Sequence, residues 1–316
     1  MTTTNEDLTL MQMMKRYSTE DAARTYFEAL RWPNGPVCPH CGNADSARIW
    51  KVTPNPGKKI RPGLWKCAEC REGFTVTMNT VMEDSKVPLH KWLLAFYMMC
   101  ASKTQISALQ LKRQLELGSY QTAWFLCHRI RFALRDASPT DLLKGTVEAD
   151  ETYIGGKKRG KGRGYTGNKT PVVSLVERGG NVRSQVVDQV SGKKITKILK
   201  RHVALTACLN TDESPVYTKA GKSFTSHDTV NHKAEEYARV DRSGRLATTN
   251  TVEGFFGNSK RSLDGTHHQI SSKHTGLYFA ELDYKYNTRQ VSDGERTVKG
   301  IRKMEGKRLT LKHTKK

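Results

Sequence analysis

Two short cysteine pairs restrict the fold of the N-terminal quarter of this chain more than any other feature. Cys38-Pro-His-Cys41 is followed, 25 residues later, by Cys67-Ala-Glu-Cys70. Two residues between cysteines let both sulfurs of one turn reach a single ion, and zinc prefers four tetrahedral ligands of this soft kind. Gly42, directly after the first pair, suits a tight knuckle. The spacing predicts a four-cysteine zinc ribbon whose loop exceeds the usual range of roughly 15 to 20 residues. Pro54, Pro56 and Pro62 shape the excess. A redox pair needs a strand before it and a helix after it, whereas Cys38 follows a proline-rich turn. Four thiolates leave no open coordination position, so the Zn2+ is expected to be structural. His40 is the weaker alternative ligand. Cys100, Cys127 and Cys208 are scattered, and seven cysteines in a chain without a secretory signal argue against a disulfide framework.

Charge narrows the class of partner. The 316 residues carry 53 Lys and Arg against 31 Asp and Glu, a net charge of +22. Self-repulsion of this size opposes folding, and a polyanion relieves it. Nucleic acid is the commonest polyanion. An anionic membrane would call for an amphipathic helix apart from the core, and none stands out. No run of roughly 18 apolar residues predicts a membrane span. The start of the chain lacks a signal-peptide pattern, so a cytoplasmic, nucleoid-associated protein is expected. Residues 156 to 169 and the tail from 298 are dense in Lys and Arg. Lys157, Lys158, Arg159, Lys161 and Arg163 are candidate phosphate contacts.

The middle of the chain reads as helical. A first helix is predicted within residues 18 to 31, with Ser18 or Thr19 as its cap. Residues 89 to 136 follow helical spacing with breaks near Thr104 and Gly118. Ser107 to Glu116 and Tyr120 to Arg135 have the outline of a helix-turn-helix, whose second helix enters the major groove. Tyr120, Gln121 and Thr122 lie at its leading end. Ala123, Cys127, Ile130 and Leu134 recur on an inward face, and His128, Arg131 and Arg135 form a neighbouring polar stripe. Arg131 and Arg135 are therefore further candidates for DNA contact. A plain helical hairpin would show the same apolar pattern.

From residue 145 the pattern turns to strands. Thr146 to Ile154, Val172 to Glu177, Val182 to Val187 and Ala207 to Asp212 read as strands, and Ile195 to His202 as a helix. This order predicts a mixed α/β sheet with helices on its faces. In the first strand, alternation sets Glu148, Asp150 and Thr152 on one face and Val147, Ala149, Glu151 and Tyr153 on the other. Asp212 ends a later strand, and Glu253 enters a helix that carries Lys260 two turns on, on the same side. Three hard oxygen donors from separate elements suit Mg2+ or Mn2+. Two such ions roughly 3.5–4 Å apart activate a hydroxyl and stabilise a leaving oxygen in phosphodiester chemistry. Spacing alone does not select these acids, because Glu148, Glu151 and Glu213 lie within two residues of them.

A resemblance selects them. The blocks CPHCG with KCAEC, VEADETYIGGK, TDESPVY, TNTVEGFFGNSKR and GTHHQISSKHTGLYFAELDYKYNTR, with GKRLT near the end, cover about residues 18 to 311. In these the chain resembles bacterial insertion-sequence transposases of the DDE type with an N-terminal zinc ribbon, relatives of the Merlin DNA transposons. The resemblance implies an RNase H-like catalytic core. It implies Asp150, Asp212 and Glu253 as ligands of Mg2+ or Mn2+, and Lys260 as a basic partner. Water would attack one strand at the element end, and the freed 3′-hydroxyl would attack target DNA. The partners implied are terminal inverted repeats, target DNA and further copies of the chain. Thr248 stands where relatives usually have His, and Phe256 where they usually have Trp. Some relatives use Asn as third ligand, which keeps Asn250 as a second candidate. Gly254 and Gly257 each weaken their helix by about 1 kcal/mol relative to Ala.

The expected organisation is a helix and zinc ribbon over 1–80, a helix-turn-helix-like region over 81–140, an RNase H-like domain over 141–292 and a basic tail over 293–316. The main rival is a non-enzymatic DNA-binding regulator built from the ribbon and the helix pair, with residues 145 to 290 as a ligand or oligomerisation domain. Another RNase H-like nuclease would share the metal chemistry but not end joining. A serine recombinase would need no essential carboxylate.

Overall fold

Alternating apolar residues in one long strand organise the second half of the chain. The computed structural model describes residues 8–53, 57, 60–136, 141–155, 169–231, 234, 236, 238–240 and 244–315. They form two units, Met1–Leu134 with Val291–Lys316, and Arg135–Gln290.

In the first unit, α1 (Leu10–Arg16) and α2 (Glu20–Arg31) both start on threonine caps. Thr19 Oγ accepts the N–H of Ala22, which satisfies one of the orphan donors of a helix start. A three-stranded antiparallel ribbon follows, β1 (Ile49–Lys51), β2 (Trp65–Cys67) and β3 (Gly73–Phe74). Then come α3 (Leu89–Ala101), α4 (Ala108–Gln114) and α5 (Tyr120–Leu134). α3 is apolar nearly all round and buries Trp92, Leu93, Phe96 and Met99, which marks it as a central helix. Ser107 caps α4 through the N–H of Gln110.

The segment expected as a basic tail is folded. α10 (Asp293–Arg302), numbered after the helices of the second unit, is capped by Ser292 and buries Gly294, Thr297, Gly300 and Ile301. It packs on α3. Beyond it, Met304 and Leu309 are buried. Glu305 takes the guanidinium of Arg31 in a two-pronged pair at 2.6 and 2.7 Å, while Arg31 also donates to the carbonyl of Val76. A short final helix, α11, spans Leu311–Lys315. Lys and Arg dominate the composition of this stretch and hide a small apolar face spaced at helical intervals. Residues expected in separate N-terminal and helical regions thus share one unit with the C-terminus.

The second unit is built on a five-stranded sheet. Its strands are β4 (Thr146–Ile154), β5 (Thr170–Glu177), β6 (Val182–Val186), β7 (Cys208–Asp212) and β8 (Ser226–Val230), in the order β6-β5-β4-β7-β8. β5 runs antiparallel to β4 and β6, while β7 runs parallel to β4 and β8. Gly179, at φ +71°, turns the β5–β6 hairpin. On one face Val147, Ala149, Val173, Leu175 and Leu209 pack with Ile195, Leu199 and Tyr217 from α6 (Gly192–His202) and α7 (Pro215–Gly221). On the other, Val172, Val176 and Val182 pack with Val252, Phe255, Phe256, Phe279 and Leu282. The latter come from α8 (Asn250–His267) and α9 (Thr275–Asn287). β9 (Ala238–Val240) and β10 (Leu246–Thr248) form a separate hairpin that leads into α8.

A buried acid ties α9 to the sheet. Asp283 accepts from the backbone N–H of Ser184 at 2.8 Å and from its hydroxyl at 2.7 Å. Burial pushes the Asp283 carboxyl from 3.8 up to about 7, although both Ser184 bonds pull it down. The folded chain therefore keeps a proton that the unfolded chain releases near pH 4. This contribution to stability is complete below that pH and fades as pH rises to about 7. Urea midpoints measured from pH 4 to 7 should fall for the native chain relative to an Asp283→Asn variant. Parallel curves would contradict this titration.

Candidate functional site

The face of β4 that meets α8 carries the acids. Glu148 lies opposite Asn210 in the parallel β4–β7 register, and the same register carried two residues on brings Asp150 level with Asp212. Asp212 ends β7, where its Oδ1 accepts the N–H of Ser214 at 3.1 Å. Glu253 lies in the first turn of α8, exposed, and accepts the hydroxyl of Thr249 at 2.7 Å. Burial first, then the charges of Glu151, Asp212 and Glu253, push the Asp150 carboxyl up to about 7, against the pull of the Glu151 N–H. The three acids thus share one electrostatic neighbourhood without closing on one point. Among the described residues, only the four ribbon cysteines bring three or more ligand atoms within 4.8 Å of one another. Lys260 is exposed two turns along α8 from Glu253. Asn250 is the first residue of that helix.

Glu148 has a different place from its neighbours. It is fully buried, and its Oε2 accepts the N–H groups of Thr251 (2.8 Å) and Val252 (3.0 Å). Its Oε1 accepts the Thr251 hydroxyl at 2.9 Å and Nε of Arg178 at 2.7 Å. Arg178 also donates to the carbonyls of Leu246 (2.6 Å) and Thr248 (3.1 Å) in β10. The remaining donors of the α8 start are met by Thr248 Oγ1, which takes Asn250 N–H, and by Thr249 O, which takes Glu253 N–H. A carboxylate taken from water loses several kcal/mol. Four charge-assisted hydrogen bonds, each worth about 1.5–3 kcal/mol, offset that loss, and the helix dipole adds to them. The sequence alone offers Glu148 only as a substitute ligand. Its signal was the strand alternation that sets it on the face of Asp150.

The other nearby acids are separated too. Glu151 points to the α7 face, where its Oε2 accepts the hydroxyl of buried Tyr217 at 2.7 Å. Glu213 follows β7 and is exposed. Phe256, at the family's usual Trp position, is buried in the apolar cluster under α8.

The candidate DNA contacts fall in three groups. Tyr120, Gln121 and Thr122 are exposed at the start of α5, where Ser119 Oγ accepts the N–H of Thr122. Arg135 is exposed just after that helix. Arg131 is 2 % exposed, so it is not on the surface stripe expected for it. The helix is packed on more sides than the 3.6-residue pattern indicates, with Leu126, His128, Arg129 and Ala133 buried as well. Lys157, Lys158, Arg159, Lys161 and Arg163 lie outside the described residues.

The cysteine pairs converge in the first unit. Cys38 and Cys70 sulfurs are 3.6 Å apart, and those of Cys41 and Cys67 are 3.7 Å apart. Tetrahedral Zn–S bonds of about 2.3 Å require sulfurs roughly 3.8 Å apart, so the donor set fits zinc. Each pair closes a knuckle. The N–H of Gly42 reaches the carbonyl of Cys38, with Gly42 at φ +78°. In the second knuckle Arg71, at φ 60°, takes the same left-handed position. The Cys70 N–H leads the groups that pull the Cys67 thiol down to about 6; burial opposes it, and the Asn43 amide assists. Purified chain should carry about one zinc per molecule. Cys67→Ala should lose the metal and lower Tm, read by metal analysis and calorimetry. Less than half an equivalent in well-folded native protein would contradict the site.

Similarity to known proteins follows the same division. Residues 18–72 match the transposase zinc-ribbon domain, and residues 142–287 match the ISXO2-like transposase domain. A relative in Halobacterium salinarum, described as an uncharacterized protein in transposable element ISH50, is 28 % identical over 248 residues, covering 72 % of this chain and 76 % of its own. No solved structure matches. Among the described residues, no helix is long and apolar enough to cross a membrane. With the ribbon and the acid-bearing unit each matching a transposase domain, the chain belongs to the insertion-sequence transposases that carry an N-terminal zinc ribbon.

Proposed function

We propose that this transposase is of the DDE type and cuts DNA at element ends by metal-dependent hydrolysis, then joins the freed 3′-hydroxyls to target DNA by transesterification. The observation that carries this reading is the shared electrostatic neighbourhood of Asp150, Asp212 and Glu253, set on two adjacent strands and a helix start, in which the neighbouring acids oppose the ionisation of Asp150. A set of hard oxygen donors that repel one another suits Mg2+ or Mn2+. When bound, such ions lower the cost of deprotonating the attacking hydroxyl and of charge on the leaving oxygen.

The protein's own groups have distinct tasks in this reading. Asp150 and Asp212 are fixed by the sheet, and Glu253 reaches them from α8. Lys260, on the exposed side of α8, contacts a DNA phosphate and so orients the scissile strand. Gly254 and Gly257 lie on the same exposed side, and a Cβ at either would meet nothing within 4 Å. The chain's own packing does not require glycine there, and a bare helix surface admits a DNA backbone closely. The sheet, with two antiparallel and two parallel pairings and helices on both faces, supports an RNase H-like core. Tyr120, Gln121 and Thr122, with Arg135 and the basic residues of 157–163, contact element ends or target DNA. Joining two ends calls for at least two copies of the chain, acting at the nucleoid.

Two comparisons test this. With Mg2+ and a duplex ending in the inverted repeat that flanks the gene, Asp150→Ala should abolish cleavage and bind the duplex as the native chain does. Asp212→Asn should lose cleavage while Glu213→Gln retains it. Normal cutting by Asp150→Ala, or the reverse outcome for the Asp212 and Glu213 pair, would sink the assignment.

A further inference from the structure

We propose that Glu148 is a positioning residue for Glu253: clamped by Arg178, its carboxylate grips the first turn of α8 and sets the register in which Glu253 faces Asp150 and Asp212. This rests on the reading that those three acids hold a divalent cation.

The geometry makes the link short. Glu148 lies two residues before Asp150 on the same strand face, and the two N–H groups that it accepts belong to Thr251 and Val252, the residues directly before Glu253. One carboxylate therefore ties the strand of the first acid to the helix turn of the third. The grip is also oriented. Oε2 takes both amides, and Oε1 takes the Thr251 hydroxyl and the guanidinium. A rotation of α8 about its axis would break these bonds together. Arg178 secures the other side of the joint through the Leu246 and Thr248 carbonyls, and Asn210 Nδ2 reaches the same two at 3.4 and 3.3 Å. β10, the strand that leads into α8, is thus held by the hairpin residue Arg178 and by β7. Glu148 has no exposed surface and both oxygens are engaged, so it acts through Glu253 and does not touch the cation.

A purely structural ion pair would alter Tm and leave cation affinity alone. A positioning residue alters cation affinity as well. The test uses the full chain loaded with zinc and titrated with Mn2+ alone, free Mn2+ being read by electron paramagnetic resonance. Thermal unfolding is followed in parallel. Glu148→Gln keeps the shape but sets an amide N–H against donors. It should weaken Mn2+ binding about tenfold to a hundredfold, the range expected when a group that orients a metal ligand is lost. Thr251→Val keeps both backbone bonds and removes only the hydroxyl. It should weaken binding about threefold to tenfold, the worth of one hydrogen bond, with Tm close to native. If Glu148→Gln does not fold, Thr251→Val carries the test. Native Mn2+ affinity in a folded Glu148→Gln, or in Thr251→Val, overturns the proposal. Glu253→Gln is the reference: loss of Mn2+ binding there with native binding in the other two variants defeats the positioning role alone. Native binding in Glu253→Gln defeats the underlying reading and the proposal together.

Discussion

A single buried carboxylate joins the middle strand of the sheet to the first turn of the helix that carries Glu253. Glu148 is the one fully buried acid of β4, and it meets its desolvation by accepting two backbone amides, a hydroxyl and a guanidinium. Without these partners an ion would remain in a low-dielectric interior, at a cost of several kcal/mol. That cost makes the approach of α8 to the sheet specific, where apolar contacts between Phe255, Phe256 and the valines of β5 are tolerant of small rotations. The strand, the hairpin arginine and the helix start then form one rigid joint, with Asp150 on one side and Glu253 on the other.

Much of this was legible in the residues. The limits of β4 follow from its alternation, Val147, Ala149 and Tyr153 against Glu148, Asp150 and Thr152, which only Glu151 breaks, and the hairpin after β5 follows from Arg178-Gly-Gly. The cysteine spacing identified the ribbon knuckles. The acids were narrowed differently. Period-2 alternation grouped Glu148 with Asp150 but gives no reason why one is fully buried and hydrogen-bonded while the other is only partly so. That difference arises from α8, more than 100 residues away in the sequence. β8 and the β9–β10 hairpin were not anticipated, since Ser226-His-Asp-Thr-Val carries too few apolar residues to stand out as a strand.

The charge pattern misled in two places, for one physical reason. Lys and Arg have long apolar stems and a hydrogen-bonding head, so a basic stretch can be packed if its partners are carboxylates and carbonyls. Arg31 lies against Glu305 and Val76 O in this way, and the C-terminal residues close the first unit instead of trailing from it. Arg131 is likewise inside. The acid-bearing unit, residues 135–290, is therefore inserted between helices α5 and α10 of a unit that starts and ends the chain. Of the described residues proposed to contact DNA, Tyr120, Gln121, Thr122, Arg135 and Lys260 are exposed and Arg131 is not.

The proposed chemistry depends on where a divalent cation binds in the second unit. Crystals of the zinc-loaded chain, grown with Mn2+ and measured near the manganese absorption edge, would locate it by anomalous scattering. A manganese peak is expected among the carboxylates of Asp150, Asp212 and Glu253, with the Glu148 oxygens still on Thr251, Val252 and Arg178. A peak ligated by Glu148 or Glu151, or manganese ordered only away from those three acids, would contradict it.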